Sequence, residues 1–183
     1  MEYFDVVDEA GQPTGAIVSR EEAHRRGVPH RTAHVWIVRP GARGYEILLQ
    51  KRSEEKDSFP GLYDTSSAGH VPAGDEPLRS ALRELYEELG IEGSPGDLRF
   101  AGTFRIRYEK VFHGRLFWDN EFANVYVYTG PVGELKLQES EVSGVRWFDL
   151  DEVWEEIRTD RSRFCVPGPG LAVLRRYLGL DPD

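Results

Sequence analysis

The sequence predicts an α/β fold in which helices flank a sheet, and three sets of residues carry that prediction. Residues 77–89 show the three-and-four apolar spacing of an amphipathic helix with a marked start and stop. Residues 99–110 and 115–128 are long aromatic and β-branched runs parted by His113-Gly114, the pattern of paired strands. Residues 34–38 and 45–51 alternate or run apolar like buried strands, with Pro40-Gly41 turning between them. A chain of 183 residues with 39% hydrophobic content can build one compact core but not two comfortable ones, so residues 1–183 are expected to form a single domain.

The remaining elements follow in chain order. Tyr3 to Val7 and Ala16 to Ser19 flank a turn-rich loop and read as a hairpin. Ser19 can cap a short helix, with Glu22 three residues on as its capping-box partner, running through His24 to about Arg26 before Gly27 ends it. Past the long strands, residues 145–148 read as a short strand and Asp151 caps a helix through Ile157. Pro167-Gly168-Pro169-Gly170 is the strongest break in the chain, and residues 171–178 form a last amphipathic helix.

Composition excludes several classes of function. The net charge of −9, from 23 basic and 32 acidic residues, disfavours a nucleic-acid polymer, whose binding needs a basic patch; an anionic small molecule remains compatible if a metal and a few local cations offset repulsion. No segment approaches the ~20 apolar residues of a membrane span. A lone cysteine, Cys165, cannot form an internal disulfide and is expected to be a passive side chain in a reduced, cytoplasmic setting.

The helix at 77–89 is where chemistry concentrates. Leu78, Ala81, Leu82, Leu85 and Leu89 form its apolar stripe, Pro77 suits the first helical position, and Gly90 suits the left-handed position past the end. At about 100° per residue, Glu84, Glu87 and Glu88 fall within a ~100° arc beside that stripe and can meet around one point. Three crowded negative charges repel unless a cation sits among them, and hard oxygen ligands without His or Cys on the same face suit Mg²⁺ or Mn²⁺ better than zinc.

The stretch from Gly69 to Ile91 resembles the Nudix box, Gx5Ex7REUxEExGU with U aliphatic. Gly69, Asp75 and the run Arg83-Glu84-Leu85-Tyr86-Glu87-Glu88-Leu89-Gly90-Ile91 stand at its fixed positions, the departure being Asp75 where the family has Glu. The resemblance implies a Nudix-type α/β/α sandwich, with a mixed central sheet and the loop and helix of the box beside a cleft. It implies Glu84, Glu87 and Glu88 as metal ligands, with Gly69 adding a backbone carbonyl, and Arg83 as the group that orients a carboxylate. The proton acceptor is left open among Glu87, Glu88 and Glu121.

A second layer of resemblance covers most of the chain. His24, His30, Trp36, Arg52, Lys56, Phe59-Pro60-Gly61, Gly69-His70 and Glu121 are similar to residues of the isopentenyl-diphosphate isomerase-like branch of Nudix proteins. By that resemblance Arg52 and Lys56 contact the substrate's phosphates, and His24, His30 and His70 with Glu121 form a second metal site of transition-metal type. The isomerase's cysteine before the Gly-His pair is here Ala68, which cannot exchange a proton, and its tyrosine in the following strand corresponds to Ile106. Among the aromatics Phe59, Tyr63, Phe104, Tyr108 and Trp118, most are expected in the core, with one or two free to stack on a base.

The function that follows is metal-dependent hydrolysis of a phosphoanhydride in a nucleoside diphosphate linked to another moiety, an ordinary nucleoside di- or triphosphate being the first expectation. Two other classes stay open: an isomerase of a prenyl diphosphate, which Ala68 disfavours, and a nucleotide sensor without turnover, which has no need of all three carboxylates. Monomer and homodimer are equally compatible with the sequence.

Overall fold

The computed structural model describes residues 1–183. β1 (Tyr3–Val7) and β2 (Pro13–Ser19) form the expected N-terminal hairpin. α1 (Arg20–Arg26) begins where Ser19 accepts a hydrogen bond from the Glu22 amide and ends at Gly27, which takes φ 63°.

The main sheet contains β3 (His30–Gly41), β4 (Gly44–Arg52), β5 (Tyr63–Asp64), β6 (Ser67–His70), β7 (Leu98–Phe112), β8 (Arg115–Tyr128) and β9 (Val142–Asp149). Its main path runs β5-β4-β3-β8-β7, with β6 added to β3 and β9 to β4. β3 and β8 are parallel while the other pairings are antiparallel, so the sheet is mixed. β3 is shared along its length: residues 32–35 lie between β8 and β6, and residues 38–41 pair with β4. The sheet therefore divides into two arms at β3.

Strand alternation sorts the core onto two faces. Trp36, Ile47, Leu49, Val125 and Val127 pack with α3 (Leu150–Thr159) and α4 (Gly168–Tyr177) through Trp154, Ile157, Leu171 and Leu174. Val35, Ile37, Leu48 and Tyr126, their neighbours in sequence, point the other way and meet Ala81, Leu85 and Leu89 of α2 (Pro77–Leu89). Helices thus cover both faces of a mixed sheet, the α/β/α sandwich expected.

Four local expectations need correction. The α3 cap is Asp149, whose carboxylate accepts from the Asp151 and Glu152 amides; the expected cap, Asp151, lies inside the helix. α4 begins at Gly168, within the Pro-Gly run read as a break, because Pro169 fits a first turn that needs no amide there. β3 starts at His30, ahead of residue 34, and reaches Gly41, so the turn follows Pro40-Gly41. Glu88, placed with the polar face of α2, is only 4% exposed because β6 packs against that side of the helix.

Candidate active site

A cleft of about 850 Å³ opens beside the division of the sheet. α2 supplies one wall. Glu84, Glu87 and Glu88 all line the cleft, but unequally: the Glu84 side chain is 15% exposed, Glu87 is 50% exposed, and Glu88 is buried. Burial raises the Glu84 carboxyl against the pull of Arg83, and burial also pushes Glu88 up to about 7 despite hydrogen bonds from Ser67 and Gln50. Two acids concealed from water side by side are costly unless a cation joins them.

Gly69 of β6 makes the approach of Glu84 possible. A Cβ at this position would overlap the Glu84 carboxylate, so only glycine lets the helix seat that side chain on the strand. Arg83 donates to Glu84 at 2.6 Å and to the His70 carbonyl at 3.1 Å, and its Nε lies 3.7 Å from Glu87. These contacts set its guanidinium against two of the three acids. Asp75, the departure from the box, lies 3.7 Å from Arg79 and 3.9 Å from Arg83, while its carbonyl accepts from Arg31. Its role is in the loop. Glu84, Glu87 and Glu88 line the same cleft, with Gly69 clearing space beside Glu84, and their hard oxygens suit a divalent cation in kind.

The second wall carries His70 and Glu121, with His24 and His30 packed behind them, and one ligand atom from each of the four lies within 4.8 Å of the others. The His24 Nδ1 faces the Arg20 carbonyl at 2.9 Å and the His30 Nδ1 faces the Val28 carbonyl at 2.8 Å. Donation from each Nδ1 to its carbonyl turns each Nε2 lone pair inward, that of His24 to within 3.3 Å of the His70 Nε2, the tautomer of a metal-binding histidine. Burial, then the neighbouring His30, lowers His24 to about 4, and burial lowers His70 as well, so both rings are neutral ligands near pH 7. Asp119 belongs to this group: its Oδ1 is 3.9 Å from His24 Nε2. Both the Asp119 Oδ1 and the His30 Nε2 are buried without a hydrogen-bond partner. Two orphaned lone pairs beside neutral imidazoles fit a transition metal.

Burial, then the charge of Glu121, raises Asp119, while Glu121 is held low because His34 and the other histidines outweigh burial. Thr32 also donates to Glu121 at 3.2 Å.

Arg52 and Lys56, the expected phosphate contacts, line the cleft but are engaged. Arg52 bonds Ser58 twice and Asp64 once, and Lys56 pairs with Glu141. Of the aromatics, Phe59 and Tyr108 line the cleft; Tyr63 and Phe104 pack against the core; Trp118 is 42% exposed on the opposite side of β8. Ile106 stands cross-strand from Glu121, and Tyr108 stands cross-strand from Asp119, so a tyrosine does face this wall two residues beyond the expected position. Cys165 also lines the cleft, with burial raising its thiol.

The NUDIX domain family matches residues 28–165 of the chain. This chain belongs to the Nudix family. Nudix hydrolase 3 of Arabidopsis thaliana is 44% identical over 155 residues, which cover 82% of this chain and 20% of that much longer protein. The isopentenyl-diphosphate Delta-isomerase of Pectobacterium atrosepticum is 30% identical over 162 residues, covering 88% of this chain and 84% of that one, and places this Nudix protein in the isomerase-like branch. The crystal structure of DR0079 from Deinococcus radiodurans shares the fold with a TM-score of 0.69 at 20% identity, over 95% of this chain and 98% of that one. The protein is an enzyme of the Nudix hydrolase family.

Sequence reasoning missed several residues of the Nudix cleft. Asp119 carried a usable signal, since a residue two before Glu121 on a strand shares its face. His34, facing Glu121 at 3.9 Å, and Arg20, pairing with Glu2 and Asp57, become cleft residues only through tertiary packing. No helix is long and apolar enough to cross a membrane.

Proposed function

We propose that this Nudix enzyme is a divalent-cation-dependent pyrophosphohydrolase acting on a nucleoside diphosphate linked to a further group, with a nucleoside di- or triphosphate as first expectation. The observation that carries the proposal is the convergence of Glu84, Glu87 and Glu88 on one cleft, two of them concealed from bulk water. A Mg²⁺ or Mn²⁺ ion held there supplies charge neutralisation at the phosphate oxygens and acidifies water. Glu84, Glu87 and Glu88 would hold that ion. Arg52 and Lys56 reach the phosphates by exchanging Asp64 and Glu141 for substrate oxygens.

The cluster of His24, His30, His70, Asp119 and Glu121 is a second, transition-metal centre. Protein loaded with Mn²⁺ or Zn²⁺ and freed of weakly held ions is expected to retain one near-stoichiometric ion, and His30→Ala to reduce it to background. Equal retention by both proteins, measured by elemental analysis, removes this centre from the account.

An isomerase reading gains nothing from the geometry, because the Ala68 methyl lies on the cleft where a proton-exchanging group would be needed. The test is a panel of nucleoside di- and triphosphates, sugar nucleotides, dinucleoside polyphosphates and isopentenyl diphosphate, assayed with Mg²⁺ and with chelator. Release of phosphate, pyrophosphate or nucleoside monophosphate from a nucleotide, abolished by chelation, supports the proposal. Turnover confined to isomerisation of isopentenyl diphosphate, or none at all, refutes it.

A further inference from the structure

Glu88 is held in an unusual way. Ser67 Oγ donates to its Oε2 at 2.7 Å, Gln50 Nε2 at 2.9 Å and the Ala68 amide at 3.2 Å. All three bonds fall on the same carboxylate oxygen. Ser67 is fully buried and Gln50 is 2% exposed, so neither donor can be replaced by water. With Oε2 pinned and Glu88 on the cleft wall, Oε1 is the oxygen left for a ligand.

The donors come from different parts of the sheet. Gln50 belongs to β4 and Ser67 to β6, which pair with different stretches of β3. Glu88 is thereby referenced to both arms at once, whatever small movements α2 makes. Gln50 also has a buried carbonyl oxygen with no partner. A leucine would fill comparable space without leaving that acceptor unpaired, so packing alone gives no reason for an amide here. The amide makes sense as the donor that aims Glu88.

We propose that Gln50 and Ser67 are positioning residues that fix Glu88 in its cation-holding orientation. This rests on the reading of the α2 carboxylates as the cation-holding set. Hydrogen-bonding partners behind a ligand typically alter metal affinity by about 10- to 100-fold when removed. Ser66, the next residue, supplies a control of the opposite kind: it accepts from the Ile37 amide, is bonded to the Leu48 carbonyl, and makes no bond to Glu88.

The experiment is Mn²⁺ binding to the full chain with the histidine centre first filled by one equivalent of Zn²⁺, followed by electron paramagnetic resonance, together with KM for substrate at saturating metal. Ser67→Ala and Gln50→Leu are each expected to raise the Mn²⁺ dissociation constant by about 10-fold or more while KM stays within about 2-fold. Ser66→Ala should lower the thermal midpoint and leave Mn²⁺ affinity unchanged. If Ser67→Ala and Gln50→Leu bind Mn²⁺ as wild type does while Glu88→Gln does not, the positioning role is wrong and the metal site stands. Should Glu88→Gln itself bind as wild type does, the carboxylate site falls and this inference falls with it.

Discussion

Glu88→Gln is expected to lower kcat by about three orders of magnitude or more while the fold stays intact. The substitution removes one charge from the cation-holding set and no core atom, and the amide oxygen can still accept from Ser67 and Gln50. The variant also predicts a change in stability, whose sign follows from burial. The Glu88 carboxyl is raised from 4.5 to about 7, burial being the largest cause. A carboxyl raised in the folded state binds its proton more tightly there than in the unfolded chain. Its stabilising contribution is complete below pH 4.5 and is lost as pH climbs through about 7. The loss is about 3 kcal/mol in the metal-free protein, or about 5–10 °C of midpoint for a chain of this size. Gln has no proton to lose, so metal-free Glu88→Gln should lack this decline and be the more stable protein at pH 8. Saturating Mg²⁺ should stabilise the wild type more than the variant. Parallel pH–stability curves for the two metal-free proteins would contradict the burial argument; retained turnover would contradict the role.

Gly69→Ala is expected to cost about 100-fold in kcat. Its added methyl overlaps the Glu84 carboxylate, which must swing away from β6 and out of register with Glu88. The backbone is not in the left-handed region, so alanine brings no strain of its own. Gly144→Ala is the comparison, since a Cβ there meets nothing within 4 Å. Measured kcat for Gly69→Ala within a few-fold of the Gly144→Ala value would show that Glu84 tolerates displacement.

The features legible in sequence were those with a local cause. α2 has the predicted bounds because Pro77, the apolar stripe and Gly90 specify start, face and stop from within the helix and its cap. α1 was equally readable from Ser19, Glu22 and Gly27. β6 was not: Ser67-Ala68-Gly69-His70 has neither β-branched residues nor apolar alternation, and it becomes a strand because β3 offers a partner. The burial of Glu88 is a consequence of that strand, as is the contact with Ser67. Gln50 lies in the run 45–51, and the acceptor of its amide, Glu88, is a helix residue 38 positions later. The resemblance points to His24, His30 and His70 as metal-binding candidates; the orientation of His24 and His30 depends on the Arg20 and Val28 carbonyls, which no side-chain pattern reveals.

Crystals of the protein soaked in Mn²⁺ offer the most direct test, through an anomalous difference map collected near the manganese edge. The expected result is a peak in contact with Glu84, Glu87 and Glu88, in addition to any peak among the histidines. A map with density only at the histidine cluster, and the α2 carboxylates bound to water alone, would contradict the account.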